Sequence, residues 1–364
     1  MKTHNPENER IKREYFAFLS EAKGLSEASV DAAAKAIASF EAYTRGKHFR
    51  AFHKEQAVGF KRHFAEKIGQ RSGEPLSKAT LRQTFAALKA FLQWLAGRPG
   101  YRSQITYSDA SYFNSSLKDV AIAKAVQNDR IPTIEQIHHV ISIMPHGTDI
   151  ERRNRALVAF IAVTGARVTA VASIQLRHVD LEAGRIMQDA RQVRTKFSKS
   201  FPTFFFNVGG EALQIVAEWV GFLRHERGWG HDDPLFPATR IALDSEGKFE
   251  SAGLDRQGWH NSTPIRTIFR DAFGLADLPY YNPHSFRKTL ALLAGRTCRT
   301  PEQFKAWSQN LGHDDVLTTF RSYGSVSTER QGALIRDAKL ATEDETDFAE
   351  LFAVVDRLKQ KVPG

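Results

Sequence analysis

A chain of 364 residues is long enough for two domains with a substantial core, and its 42% apolar and 25% charged composition is that of a globular protein. Lysine and arginine outnumber acidic residues 51 to 41, a formal charge of +10 that suits a polyanionic partner, because basic side chains on phosphates release counterions. The single cysteine, Cys298, excludes an internal disulfide framework and a thiolate metal site, and the longest apolar stretch, Ala156 to Ala166, is far short of the ~20 residues of a membrane span. Met1 to Pro6 carries no apolar core, so it does not read as a signal peptide and a soluble intracellular protein is expected.

The first hundred residues predict four amphipathic helices. Ile11, Tyr15, Phe18 and Ala22 share the face of the first; Val30, Ala33, Ile37 and Phe40, after Ser26, that of the second. Ala57, Phe60, Phe64 and Ile68 form the third stripe, and Leu81, Phe85, Leu88, Leu92 and Leu95, after Ser77, the fourth. Spacings of three and four residues put each set on one buried side. Lys61, Arg62, Lys78, Arg82 and Lys89 fall on the polar sides, either as a solvated face or as a phosphate-tracking surface. Residues 1–107 are read as one helical domain, 108–131 as a linker rich in Ser, Tyr and Asn, and 132–364 as a second domain, opened by the capping box Thr133-Ile134-Glu135-Gln136.

The second domain is expected to be mainly helical, with one small β-hairpin or sheet. Its strands lie near Gly184 to Met187 and Phe201 to Phe206, with Arg194 to Lys199 in the polar turn between them. His231 to Ser262 lacks periodicity and reads as a surface loop or insertion. Four short pieces carry chemistry. In Thr164-Gly165-Ala166-Arg167, Gly165 ends a helix and Arg167 starts the next, where a cation opposes the helix dipole unless an anion lies between. In Asn282-Pro283-His284-Ser285-Phe286-Arg287, Asn282 and Pro283 suit a helix start, and His284 and Arg287 share the face of its first turn. Leu311-Gly312-His313 closes the helix opened by Thr300-Pro301-Glu302-Gln303. Thr318-Thr319-Phe320-Arg321-Ser322-Tyr323 follows.

This ordered set, an arginine, a lysine in a hairpin, His-x-x-Arg, Leu-Gly-His and a downstream tyrosine, resembles the phage integrase family of tyrosine recombinases. Arg167 to Arg287 spans 120 residues, Arg287 to His313 spans 26, and His313 to Tyr323 spans 10. The resemblance covers about Thr133 to Tyr323, and the helical first hundred residues are similar to that family's core-binding domain in kind. No additional arm-binding domain is expected ahead of them. The resemblance implies a site-specific recombinase that cuts and rejoins DNA through a 3′-phosphotyrosyl link to Tyr323, for integration or excision of a mobile element. Arg167, Arg287 and His313 would hold the phosphate, His284 would be the base, and Lys196 would protonate the leaving 5′-oxygen. Lys196 is favoured because it would end the first hairpin strand beside the turn; Lys199 and Arg194 are the alternatives, Lys199 being also a DNA-contact candidate. No metal or cofactor is implied. The implied partners are double-stranded DNA with a specific site, a homotetramer on two duplexes and, optionally, an accessory DNA-bending protein, in the cytoplasm at the bacterial nucleoid. One departure stands at Ala170, where the family usually has an acidic residue. The competing readings are a type IB topoisomerase-like nicking-closing enzyme and a DNA-binding protein of this fold that has lost cleavage.

Overall fold

The Asn5 side chain accepts hydrogen bonds from the amides of Glu7 and Asn8, Pro6 occupies the first helical position, and α1 runs Pro6–Ala17. In this computed structural model, which describes residues 5–69, 73–116, 131–243, 247–313 and 319, the chain divides into two units, Met1–Ala125 and Val126–Gly364. The first unit continues with α2 (Glu27–Tyr43), α3 (Lys54–Ala65) and α4 (Lys78–Ala96). Ser77 caps α4 by accepting the Thr80 amide, whereas Ser26 spends its hydroxyl on Ser29. Ile11, Tyr15, Ala33, Ile37, Phe40, Ala57, Phe60, Phe64 and the α4 leucines are buried together, as their spacing requires. Ile68 is not in that core. The helix ends at Ala65, residue 68 pairs as an isolated bridge with Pro75, and its side chain is 60% exposed.

Among the described residues the last elements of this unit are α5 (Tyr107–Ala110) and a 3-10 turn, Ser111–Phe113. Ala110 and Phe113 are buried, Phe113 meeting the rings of Phe40 at 5.5 Å and Phe60 at 6.2 Å. The linker expected from residue 108 therefore does not start there. An aromatic side chain with partners on two helices keeps this stretch in the first core.

The second unit is built around α7 (Asp149–Thr164), preceded by α6 (Ile134–Ile143). Both carry the Thr-x-x-Glu/Gln box, at Thr133–Gln136 and Thr148–Glu151. From Ala156 to Thr164 no side chain of α7 is more than 3% exposed, so this half of the helix is surrounded on every side. Packed against α7 are α9 (Ala212–Gly221) and α11 (Pro283–Thr297); α8 (Val168–Val171), α10 (Thr263–Leu275) and α12 (Pro301–Asn310) are the other helices of this unit among the described residues. A three-stranded antiparallel sheet, order β1 (Val179–Asp180), β2 (Arg185–Gln188), β3 (Phe201–Phe204), pairs Arg185 with Phe204 and Gln188 with Phe201. This is the expected hairpin with one strand added.

The surface loop expected over His231 to Ser262 is a correction. Thr239–Leu243 and Phe249–Leu254 form an antiparallel hairpin, β4–β5, and Leu235 and Phe236 are buried in the core. Arg153 of α7, only 3% exposed, donates to the Pro237 carbonyl at 2.9 Å and Thr239 Oγ1 at 3.0 Å, with its guanidinium over the Trp259 ring. Among the described residues no helix is long and apolar enough to cross a membrane. The C-terminal stripe Phe348, Leu351, Phe352, Val355 and Leu358 lies outside the described residues.

Candidate active site

α7 stops at Gly165, whose φ of 59° is left-handed and whose amide bonds back to Ile161 at 2.8 Å. Thr164 Oγ1 donates to the Phe160 carbonyl at 2.6 Å and accepts the Ala166 amide at 3.2 Å. This turn delivers Arg167, half-buried, to the position preceding α8. A Cβ on Gly165 would stand 3.0 Å from Leu290 Cδ1 and 3.1 Å from Leu311 Cδ2, so a hydrogen is what lets three segments meet here.

Asn282 occupies the N-cap position of α11 and Pro283 follows, as expected, but the Asn282 side chain does not cap; Ser285 Oγ instead donates to the Asn282 carbonyl at 2.6 Å. Thr289 Oγ1 donates to the Pro132 carbonyl at 2.6 Å and fixes the helix laterally. Arg287 is 5% exposed. Its Nη1 donates to the Gly165 carbonyl at 3.0 Å and its Nη2 to the Leu311 carbonyl. One guanidinium thus joins the end of α7 to the residue two before His313. Burial, and then the charge of Arg167, bring Arg287 down to about 9, which still leaves it cationic at neutral pH. His284, one turn earlier, has a solvent-accessible ring. Desolvation by the protein around it, then the charges of Arg287, Lys288, Arg167 and Lys196, hold it below its ordinary value of 6.5. A neutral imidazole accepts protons.

After α12, Gly312 turns the chain at φ 64° against the Phe201 ring of β3. His313 Nδ1 lies 2.8 Å from Thr319 Oγ1, and Thr319, fully buried, donates to Ser308 Oγ at 2.8 Å. With that hydroxyl proton donated to Ser308, Nδ1 of His313 is the donor of its pair with Thr319. Thr319 lies within the last of the four pieces but is given no role by the sequence, and Ser308 is not marked by it at all. Both are ordinary residues at buried positions, and only their meeting across 11 residues gives them a role. Tyr323 lies outside the described residues, as do Thr318 and Arg321.

The hairpin residues are sorted by what they touch. β2 ends at Gln188 and β3 begins at Phe201, so Lys196 does not end a strand as expected. It opens a 3-10 turn, Lys196–Ser198, in a long loop pinned by the buried Val193. The correction has a simple cause: the aromatic run that marks the second strand starts late, and polar residues before it pair with neighbouring segments rather than with β2. Lys196 is close enough to lower the proton affinity of His284. Arg194 donates to the carbonyls of His260 at 2.6 Å, Trp259 at 2.7 Å and Ala172 at 3.3 Å, which commits its guanidinium to backbone. Lys199 lies beside a cavity of about 1070 Å³ that it lines with Phe201, Trp307, Gly312 and His313. Ala170 is buried in the apolar core, and its carbonyl accepts Ser173 Oγ at 3.1 Å.

The structure therefore brings Arg167, His284, Arg287 and Lys196 into one electrostatic neighbourhood and ties the segment of His313 to it through the Leu311 carbonyl. Two guanidiniums that feel each other's charge, with an imidazole and an ammonium nearby, are groups able to receive an anion and to exchange a proton with it. In the first unit, Lys61 Nζ and Lys89 Nζ converge on Asn114, on its carbonyl at 3.0 Å and its side-chain oxygen at 2.9 Å. Arg62, Lys78 and Arg82 are exposed.

Residues 13–98 match the family model of the phage integrase N-terminal SAM-like domain. The tyrosine recombinase XerC of Lactobacillus delbrueckii subsp. bulgaricus is 25% identical over 255 residues, covering 68% of this chain and 72% of that protein. The XerC of Pseudomonas entomophila is 25% identical over 194 residues, covering 52% and 55%. Among solved structures, a lambda integrase dimer bound to a COC′ core site superposes with a TM-score of 0.61 at 12% identity, covering 92% of this chain and 99% of that one. The Tn1549 transposon integrase with transposon right-end DNA gives 0.57 at 13% identity, covering 90% and 98%. The XerH site-specific recombinase on difH DNA gives 0.56 at 16% identity, covering 90% and 85%.

Proposed function

We propose that the chain is a tyrosine recombinase, a site-specific DNA recombinase in which Tyr323 is the nucleophile and Arg167, Arg287, His284, His313 and Lys196 divide the charge and proton work. The Tyr323 hydroxyl attacks phosphorus, a new P–O bond forms, and the bond from phosphorus to the 5′-oxygen breaks. The proton of Tyr323 goes to neutral His284, and Lys196 gives one to the departing oxygen. Charge gathering on the non-bridging oxygens is met by the forks of Arg167 and Arg287 and by His313; donors of this kind are typically worth ~10²–10³-fold in rate each. The phosphotyrosine keeps the bond energy, so a 5′-hydroxyl of another strand reverses the step.

The observation that carries this reading is the Arg287 fork, buried, bonded to the carbonyls of Gly165 and Leu311, and close enough to Arg167 to be repelled by it. Two like charges held together by the fold call for an anion between them. Solved relatives in complex with core-site, transposon-end and difH DNA support a DNA partner, and Lys61, Arg62, Lys78, Arg82, Lys89 and Lys199 are proposed to track its phosphates. Assembly as a tetramer on two duplexes, an accessory bending protein, a cytoplasmic location at the nucleoid and service to a mobile element are parts of the same proposal. Ala170 leaves α8 without an acidic side chain, and its last turn is instead held through Ser173 and Arg194.

The test is a denaturing-gel search for covalent protein–DNA adducts on DNA flanking the gene, with Tyr323→Phe beside the wild type. An adduct lost in the variant, with salt-dependent binding kept in both, is expected. An adduct that survives Tyr323→Phe would overturn the assignment of the nucleophile.

A further inference from the structure

The loop that carries Lys196 is long for a hairpin connection, and a catalytic ammonium on an unsupported loop would spend most of its time out of line. Beside the buried Val193, a second hold comes from the neighbouring Arg194. Arg194 reaches two separate segments: the His260 and Trp259 carbonyls at 2.6 and 2.7 Å, and the Ala172 carbonyl, at the end of α8, at 3.3 Å. Its own amide donates to Ser173 Oγ at 2.9 Å, and that hydroxyl donates back to the carbonyls of Thr169 at 3.2 Å and Ala170 at 3.1 Å. Arg167 opens the same short helix. The side chain next to the carbonyl Arg194 grips is also fixed, since Trp259 lies under the buried guanidinium of Arg153. A planar guanidinium spreads its donors over a rigid fork, so Nη1 and Nη2 reach carbonyls on two segments at once, whereas a lysine would have to gather them around one nitrogen.

We propose that Arg194 is a positioning residue, clamping the Lys196 loop to the end of the Arg167 helix so that proton donor and phosphate receptor keep one geometry. This rests on the reading of Lys196 as the donor to the 5′-oxygen. Arg194 itself touches no reacting atom. Its loss should misplace the donor while leaving the two arginines and the nucleophile in place.

The experiment uses the full chain and a synthetic duplex built to the cleavage position that the adduct maps, made with either oxygen or sulfur bridging phosphorus to the 5′-carbon. Sulfur leaves as a thiolate and needs no proton, so a defect in proton donation vanishes on it. Arg194→Ala should cleave the oxygen duplex ~10–100-fold more slowly than wild type and the sulfur duplex within about threefold of it. Lys196→Ala is the reference and should show the same rescue with a larger defect. Ser173→Ala, which removes one tie and no charge, should show a smaller defect, also rescued. Hydrogen exchange of free Arg194→Ala should quicken in residues 189–200 and stay unchanged in α7. Rescue of Lys196→Ala without rescue of Arg194→Ala overturns the clamp. Failure of Lys196→Ala to be rescued overturns the donor reading, and the clamp falls with it. A Arg194→Ala protein that cleaves the oxygen duplex at the wild-type rate also overturns the clamp.

Discussion

Replacing Gly165 by alanine tests how tightly the proposed phosphate receptor is joined to the core, and Gly184 supplies the control. The two glycines have nearly the same backbone, φ 59° and 62°, but a Cβ at 184 meets nothing within 4 Å. Gly184→Ala therefore isolates the cost of a left-handed alanine, ~1–2 kcal/mol, less the ~0.4–1 kcal/mol gained by restricting the unfolded chain. At 165 the same Cβ stands 3.0 and 3.1 Å from Leu290 and Leu311 and must push them, adding ~1–2 kcal/mol. For a unit of this size ~1 kcal/mol moves the melting temperature ~2–4 °C, so a net ~0–1.6 kcal/mol at 184 should lose ~0–6 °C and a net ~1–3.6 kcal/mol at 165 ~2–14 °C, with Gly165→Ala the lower of the two by the crowding. Calorimetry gives both shifts. The adduct assay gives the second readout: the Gly165 and Leu311 carbonyls are the two that hold Arg287, so Gly165→Ala should also cleave ~10–100-fold more slowly, with Gly184→Ala near wild type. Equal melting of the two variants would refute the crowding. A Gly165→Ala protein that melts low yet cleaves normally would refute the coupling of core to receptor.

Arg287→Ala should bind DNA but cleave ~10²–10³-fold more slowly, and wild-type cleavage in that variant would remove Arg287 from the receptor. Because His284 is held below 6.5, it stays neutral at mildly acid pH, and the acid limb of the cleavage profile should lie below 6.5 and disappear in His284→Gln; a limb at or above 6.5 contradicts the base assignment. Lys61→Ala and Lys89→Ala, whose ammonium groups converge on Asn114, should each lower the slope of log affinity against log salt by about 1 if they meet phosphate, which binding isotherms at several salt concentrations would measure.

The elements readable from sequence were those that announce themselves locally. The stripes at Ile37 and Phe40, Phe60 and Phe64, and Leu88 and Leu92 recur within one turn, and the box at Thr133 and the cap at Thr300 lie within four residues of their helices, although Gln303 completes no box and accepts the Arg299 amide instead. Gly165 was readable as a helix stop, and His284 and Arg287 as neighbours on a first turn. The misreadings share a different character. Leu235, Phe236 and Trp259 are buried one at a time by distant segments, so a stretch that is irregular in sequence is part of the core. Phe113 joins the first core through rings more than fifty residues away, and the linker reading failed there. Within the site, the types and order of the charged residues were legible, but not which hairpin cation does which task. That depends on the carbonyls of Ala172, Trp259 and His260, and no side-chain pattern records where a carbonyl points.

The half of α7 that has no wet side bears on how this protein would behave under random mutation. Ala156 to Val163 leaves no room for a polar or larger side chain, and the Gly165 carbonyl that Arg287 grips lies two residues beyond it. Selection for lost recombination would thus return this plain apolar stretch alongside the arginines, histidines and tyrosine. The two groups would be told apart by whether folded protein still accumulates in the cell, and a map drawn from activity alone would enlarge the catalytic centre into the hydrophobic interior.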